Sequence, residues 1–110
     1  MKQYVIDQLR ETDYKNVLEF LQKNADASEF GDVFWVKLPV ELYSLTQREH
    51  KQCAPYRFAV NLSLNKVDFE LLIRSRQVLR CSCIGYADEK QRTYIIDYAD
   101  RMLEELKIKI

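Results

Sequence analysis

The chain has 110 residues, with 17 basic and 17 acidic side chains, a formal net charge of zero, two glycines and one histidine. Isolated glycines exclude phosphate loops and dinucleotide fingerprints, because those motifs need clustered glycines for the backbone to approach a pyrophosphate. A single histidine also excludes metal cages built from several histidines. We expect a single α+β domain over residues 1–110 that has no enzymatic activity.

Composition and cysteine usage indicate the cellular compartment of such a domain. Hydrophobic residues make up 47% of the chain and charged residues 31%, which is typical of a folded protein. No apolar run approaches the roughly 20 residues that span a bilayer, so we expect no membrane segment. Three cysteines are an odd number and too few for a secreted disulfide scaffold. The sequence therefore favours a cytoplasmic protein.

The first elements in chain order are a short strand and a helix. The alternation over residues 4–10 fits a short strand, with a helix as the alternative, and such a strand would add a further member to the sheet. Thr12 and Asp13 offer side-chain oxygens to the free amides of a helix N-terminus. Apolar residues at helical spacing follow, so we predict a helix over 13–24 with one buried face.

A second strand and a short helix follow. Residues 33–43 are rich in β-branched and aromatic side chains, which predicts a strand. Pro39 has no amide hydrogen to donate, so this strand should lie at an edge or be interrupted there. Thr46 and Glu49 have the spacing of a capping box, which predicts a short helix over residues 47–53.

The strongest pattern lies in the middle of the chain, where three alternating stretches predict an antiparallel meander. The stretches are residues 56–64, 67–74 and 78–86. A turn at Asn65-Lys66 places Leu62 of the first stretch opposite Phe69 of the second. The following turn places Cys83 of the third stretch opposite Phe69, on the other edge of the middle strand. Both registers keep apolar residues opposite one another, as a sheet with one buried face requires.

The last predicted element is a helix over residues 88–107, because Asp88 and Gln91 have the spacing of a capping box. The two main helices, 13–24 and 88–107, are together wide enough to cover a sheet of four strands. We therefore predict an α+β two-layer sandwich, with an antiparallel sheet of four to five strands and both helices on one face.

One set of side chains has the chemistry of a metal site. It uses the only histidine and all three cysteines: His50, Cys53, Cys81 and Cys83. Imidazole and thiolate are the ligands that zinc prefers, and four of them complete a tetrahedral site. Two alternatives stay open: cysteines on a strand that only pack in the core, and a nucleophile–base pair of Cys53 and His50.

A second set of residues is basic. Residues 51–82 carry six basic and two acidic side chains, and the candidates for contact with RNA are Arg57, Arg74, Arg76 and Arg80. A sheet face with arginines and an aromatic ring binds RNA through phosphates and stacked bases. Asp68 and Glu70 fall on the same face, so a solvated face is the alternative and nucleic acid is not the partner we favour.

The same outer face of the sheet carries apolar side chains that a solvated face usually lacks. They are Ala59, Leu72, Val78, Ile84 and Tyr86. Something should cover them: a protein partner, a second copy of the chain, or the N-terminal segment of the same chain. Protein contact or self-association is therefore the first functional hypothesis, followed by zinc binding and then by weak RNA binding.

Overall fold

A computed structural model describes residues 1–109, which form an antiparallel sheet and helices packed against it. The helices are α1 (Glu11–Asn24), α2 (Leu45–Glu49) and α3 (Glu89–Glu105). The strands are β1 (Gln3–Ile6), β2 (Asp26–Ala27), β3 (Val33–Lys37), β4 (Tyr56–Leu62), β5 (Val67–Glu70), β6 (Leu72–Ser75) and β7 (Gly85–Tyr86). Two 3-10 turns, Val40–Leu42 and Lys51–Cys53, flank α2.

The sheet has the order β1-β5-β4-β3-β2, and β6 pairs with both β4 and β7. All of its ladders are antiparallel. This confirms the predicted α+β class, and β1 is the extra strand that the alternation over residues 4–10 indicated. The sheet has seven strands instead of four to five, because β2 and β7 are two-residue ladders and the second meander strand is split.

Both long helices cover one face of the sheet. Tyr98 on α3 shows this, because its ring centroid lies 6.2 Å from that of Phe20 on α1, 6.1 Å from Phe58 and 6.3 Å from Phe69. Phe58 and Phe69 are fully buried on β4 and β5. Within residues 1–109, none of the helices has the length and apolar character needed to cross a membrane.

The first hairpin of the meander forms, with its register shifted near the turn. Leu62 lies opposite Val67 and Val60 opposite Phe69, so the predicted Leu62–Phe69 pairing is wrong by two residues. The same face still points inward, because a shift of two preserves side-chain alternation. Further along, Arg57 lies opposite Arg74 as the original register requires, so the chain between β5 and β6 absorbs the difference.

The third strand, predicted over 78–86, is wrong except at its end. The chain leaves the sheet after Ser75, and only Gly85–Tyr86 returns to pair with β6. The Ser75 hydroxyl accepts hydrogen bonds from the backbone amides of Gln77 and Val78, at 3.0 and 3.1 Å, which turns the chain away. We call the intervening segment, residues 76–84, the cysteine loop, because it contains Cys81 and Cys83.

Element boundaries in the first half also differ from those predicted. Helix α1 begins at Glu11, and the Asp13 carboxylate accepts a hydrogen bond from the Arg10 amide instead of capping the helix itself. Helix α2 uses Ser44 and Gln47 as its capping box and ends at Glu49. Strand β3 ends before Pro39, as the missing donor of that residue requires.

The capping box of α3 forms as predicted and gives a simple test of the fold. Gln91 N donates to Asp88 Oδ1 at 2.9 Å, and Asp88 N donates to Gln91 Oε1 at 3.1 Å. We expect Asp88→Ala to lower the free energy of unfolding by about 1 kcal/mol in urea titrations. Asp97→Ala, at an exposed position in the middle of the same helix, should cause no loss. Equal losses in the two variants would contradict a specific role of the cap.

Candidate metal centre

His50 and Cys53 lie at the end of α2, where the helix changes into a 3-10 turn. His50 has φ −99° and ψ 61°, which ends the α-helical hydrogen bonding. The Cys53 amide then donates to the His50 carbonyl at 2.9 Å and closes a turn of three residues. This turn places the imidazole and the thiol on the same side of the backbone. The predicted single helix over 47–53 is thus two short elements, with both side chains still together.

Cys81 and Cys83 lie on the cysteine loop and not on a strand. The Ile84 amide donates to the Cys81 carbonyl at 3.0 Å, which forms a second tight turn. Cys83 is buried and Cys81 is half-buried. The predicted pairing of Cys83 with Phe69 in a strand ladder is therefore wrong. The loop instead directs both thiols toward the end of α2.

The two turns bring all four side chains into one cluster. The ligand atoms of His50, Cys53, Cys81 and Cys83 lie within 4.8 Å of one another. His50 Nδ1 is 2.9 Å from Cys81 Sγ. In a tetrahedral zinc site the bond lengths place two sulfurs about 3.8 Å apart, and a nitrogen and a sulfur about 3.6 Å apart. Side-chain adjustments of this size suffice to place the four atoms around one ion.

The thiols of the cluster differ in acidity. The backbone amide and side chain of Cys83 and the imidazole of His50 lower the pKa of the Cys81 thiol to about 6, because their hydrogen bonds favour its thiolate. Burial raises the pKa of the Cys53 thiol to about 11, with hydrogen bonds to Cys83 and Cys81 as the further cause. The cluster therefore already contains a site where negative charge on sulfur is stable.

Hydrogen bonds hold the backbone of both turns. The Tyr56 hydroxyl donates to the carbonyls of Gln47 and His50, at 3.1 and 3.0 Å. The Ser75 hydroxyl donates to the Cys53 carbonyl and accepts from the Gln77 and Val78 amides, so it joins the cysteine loop to the other turn. Groups that support the ligands in this way fix their orientation and are a regular part of metal sites.

A buried glutamine pair connects the cluster to the rest of the fold. Gln47 Nε2 donates to the Cys83 carbonyl at 3.3 Å, and Gln91 Nε2 donates to Gln47 Oε1 at 3.0 Å. Both glutamines are buried, and each also serves in a capping box, of α2 and α3 respectively. The cysteine loop is therefore tied to two helices through side-chain amides, of which the sequence motifs identified only Gln91, as a capping residue.

The structure also bears on the two alternatives for the cysteines. Burial of Cys53 and Cys83 fits core packing as well as ligation. The hydrogen bond of the His50 ring runs to Cys81, and the alternative of Cys53 and His50 as a nucleophile–base pair stays a prediction. Metal binding at the four residues stays a prediction, now with a geometry that suits it.

The arginines predicted to contact RNA occupy different positions. Arg57 and Arg74 are directly opposite on β4 and β6 and line a groove on the outer sheet face. Arg76 and Arg80 are exposed on the cysteine loop, and neither belongs to the groove lining. Binding of RNA through all four stays a prediction.

The apolar outer face is partly covered by the chain itself. Ala59 is buried, and it lines the same groove as the half-buried Val78 and Ile84. Leu72 pairs with Tyr86 between β6 and β7. The Tyr86 hydroxyl accepts a hydrogen bond from the Lys2 amide at 3.4 Å. The loop and the N-terminus thus supply part of the cover that we expected from a partner, and self-association stays a prediction.

Comparison with known proteins gives no match. The chain matches no protein-family model, no curated protein and no solved structure. Its chemistry has to be inferred from the side chains themselves and from their surroundings.

Proposed function

We propose that the protein binds one zinc ion through His50 Nδ1 and the thiolates of Cys53, Cys81 and Cys83. The observation that supports this is the convergence of four donor atoms within 4.8 Å, from two turns that are far apart in the sequence. Soft thiolates combined with imidazole in a tetrahedral set select zinc among the common divalent metals.

The proposed ion has a structural role. Four protein ligands fill a tetrahedral zinc site, whereas a catalytic zinc keeps one position for water or substrate. The ion would join the end of α2 to the cysteine loop, which otherwise is held by a few hydrogen bonds such as those of Ser75 and Gln47. We further propose a cytoplasmic location, where reducing conditions keep the thiols available as ligands.

Metal analysis of the untagged protein, purified with a reductant, tests the proposal. We expect about one equivalent of zinc by elemental analysis and the matching mass in native mass spectrometry. Cobalt replacing zinc should give the thiolate charge-transfer and ligand-field absorption of a tetrahedral site. Cys83→Ser should abolish stoichiometric binding, and His50→Ala should weaken it.

Ser82→Ala is the matched control, because Ser82 is exposed between two proposed ligands. It should keep both the zinc and the cobalt spectrum. Less than about a tenth of an equivalent of zinc in the wild type, with no cobalt spectrum after reconstitution, would overturn the proposal. Stoichiometric iron with its thiolate charge-transfer colour would contradict zinc as the ion.

A further inference from the structure

The outer sheet face contains a groove that the zinc proposal does not use. It has a volume of about 380 Å³. Its floor and wall include the sheet residues Trp35, Arg57 and Ala59 and the loop residues Val78, Leu79 and Ile84. Small-molecule sites usually have about 300–1,000 Å³ and combine apolar walls with a few polar groups. The groove therefore has the size and lining of a site for a small ligand.

Positive charges run in a row across the outer sheet face, and two of them, Arg57 and Arg74, line this groove. Lys37 on β3 lies directly opposite Arg57 on β4, and Arg57 lies directly opposite Arg74 on β6. Like charges at directly opposite positions destabilise a sheet. Arg74 is compensated, since its guanidinium is 3.5 Å from the Glu70 carboxylate. Without a bound anion, the repulsion between these like charges therefore destabilises the sheet mainly at Arg57.

The Arg57 side chain stacks on an aromatic ring and forms no salt bridge within residues 1–109. Its guanidinium carbon lies 3.8 Å from the centroid of the Trp35 ring. Its Nε is buried, and nothing in the described part of the chain accepts a hydrogen bond from it. Burial, and then the charge of Arg76, lower the pKa of Arg57, and the negative charge of Asp26 offsets only part of this effect.

Two acidic side chains of the same face, Asp68 and Glu70, are engaged by other partners, and Glu70 is also a lining residue of the groove. Asn61 Nδ2 donates to Asp68 Oδ1 at 2.8 Å and to Glu70 Oε2 at 2.9 Å. The remaining Glu70 oxygen faces Arg74. These contacts leave Arg57 available for an anion from solution. A guanidinium binds phosphate through two parallel N–H groups, and its flat face stacks on a ring.

We propose that this groove binds a small phosphate monoester that carries a flat ring, the chemical class of a nucleoside monophosphate. The phosphate would accept hydrogen bonds from Arg57, with Lys37 adding charge. The ring would lie against the apolar wall that Val78 and Ile84 provide. This proposal does not depend on the zinc site, although the loop that forms the wall also contains Cys81 and Cys83.

The fluorescence of Trp35 reports on the groove directly, because Trp35 is the only tryptophan of the chain. We expect saturable quenching by uridine or adenosine 5′-monophosphate, with a Kd of about 100 μM. The matching nucleoside and inorganic phosphate should each bind at least about tenfold more weakly, because each lacks half of the recognised chemistry. The nucleoside also corrects for absorption of light by the base.

Arg57→Gln should weaken monophosphate binding by about tenfold or more. Arg80→Gln removes the same charge outside the groove lining and should leave the affinity unchanged. Leu79 is 96% exposed at the rim of the groove, so Leu79→Glu should fold normally and repel the phosphate. This second variant tests the proposal even if Arg57→Gln unfolds. Absence of saturable quenching up to about 10 mM ligand, or equal losses in Arg57→Gln and Arg80→Gln, would overturn the proposal.

Discussion

Removing the metal with a chelator, in the presence of a reductant, should lower the free energy of unfolding by about 4 kcal/mol. This value applies where free zinc exceeds its Kd about 1,000-fold, because a ligand stabilises the folded state according to its saturation. For a chain of this size the loss corresponds to roughly 15 °C in Tm. Thermal and urea unfolding followed by circular dichroism measure it.

The loss of stability on metal removal should arise from the region around the metal centre. The core between the sheet and the two long helices contains fully buried side chains such as Phe58, Phe69 and Ile95, and these do not depend on the ion. The metal-free chain should therefore stay folded at low temperature, while amides of the cysteine loop exchange faster with deuterium. Amides of β4 should keep their protection.

Cys83→Ser is the control for this experiment, since it should already lack the ion. Its unfolding curve should be the same with and without chelator. Identical curves for the wild-type protein under both conditions would contradict a structural role of zinc. The reductant is needed because three thiols within 4.8 Å would otherwise be able to form disulfides once the metal is removed.

The two-layer arrangement was predictable because each long element buries one face. The alternation of β4 and the helical spacing in α1 and α3 report burial directly, and Phe58, Val17 and Ile95 are indeed buried. Capping residues were predictable for α3, where Asp88 is followed by Gln91. For α2 the predicted box of Thr46 and Glu49 was wrong, because Ser44 and Gln47 form the box instead.

The prediction of the third strand was wrong because an alternating pattern alone does not show that a segment pairs with a neighbouring strand. Residues 78–86 alternate as a strand would, yet Leu79 is almost fully exposed. The outcome was decided by the Ser75 hydroxyl, which captures two backbone amides and competes with the ladder. A serine at the end of a strand can accept backbone amides in this way in many sequences, so its presence does not predict where the chain leaves the sheet.

The ligands of the candidate metal centre could be predicted from residue types, because the chain has only one histidine, His50, and three cysteines. The geometry of the centre could not be predicted, since it depends on two turns joined by long-range contacts. Tyr56, Gln47 and Gln91 support the site, but the sequence patterns marked them only as a strand residue, a helix residue and a helix cap, respectively. Contacts between distant segments leave no local pattern, and this part of the site required the structure.

Tyr56→Phe should therefore affect stability and metal binding together. Its hydroxyl is buried and is the donor to the Gln47 and His50 carbonyls, which form the backbone around the first two proposed ligands. The His50 carbonyl keeps the Cys53 amide as a donor, but the buried Gln47 carbonyl loses the Tyr56 hydroxyl. Leaving a buried acceptor without this donor costs about 1–3 kcal/mol. Loss of a group that orients a ligand weakens metal affinity by about 10–100-fold. Urea unfolding measures the first effect, and competition with a chromophoric chelator measures the second.

Tyr98→Phe provides the matched control, because it deletes the same atom from a tyrosine in a different setting. The Tyr98 hydroxyl is buried and has no hydrogen-bond partner within residues 1–109, and burial raises its pKa to about 12. Removing it should leave stability unchanged or raise it by about 1 kcal/mol, with zinc affinity unaffected. If Tyr56→Phe lowered stability and left zinc affinity at the Tyr98→Phe value, the Tyr56 hydroxyl would support the fold without orienting the His50 turn. A tenfold or greater loss of affinity in Tyr56→Phe alone is the result that the two hydrogen bonds predict.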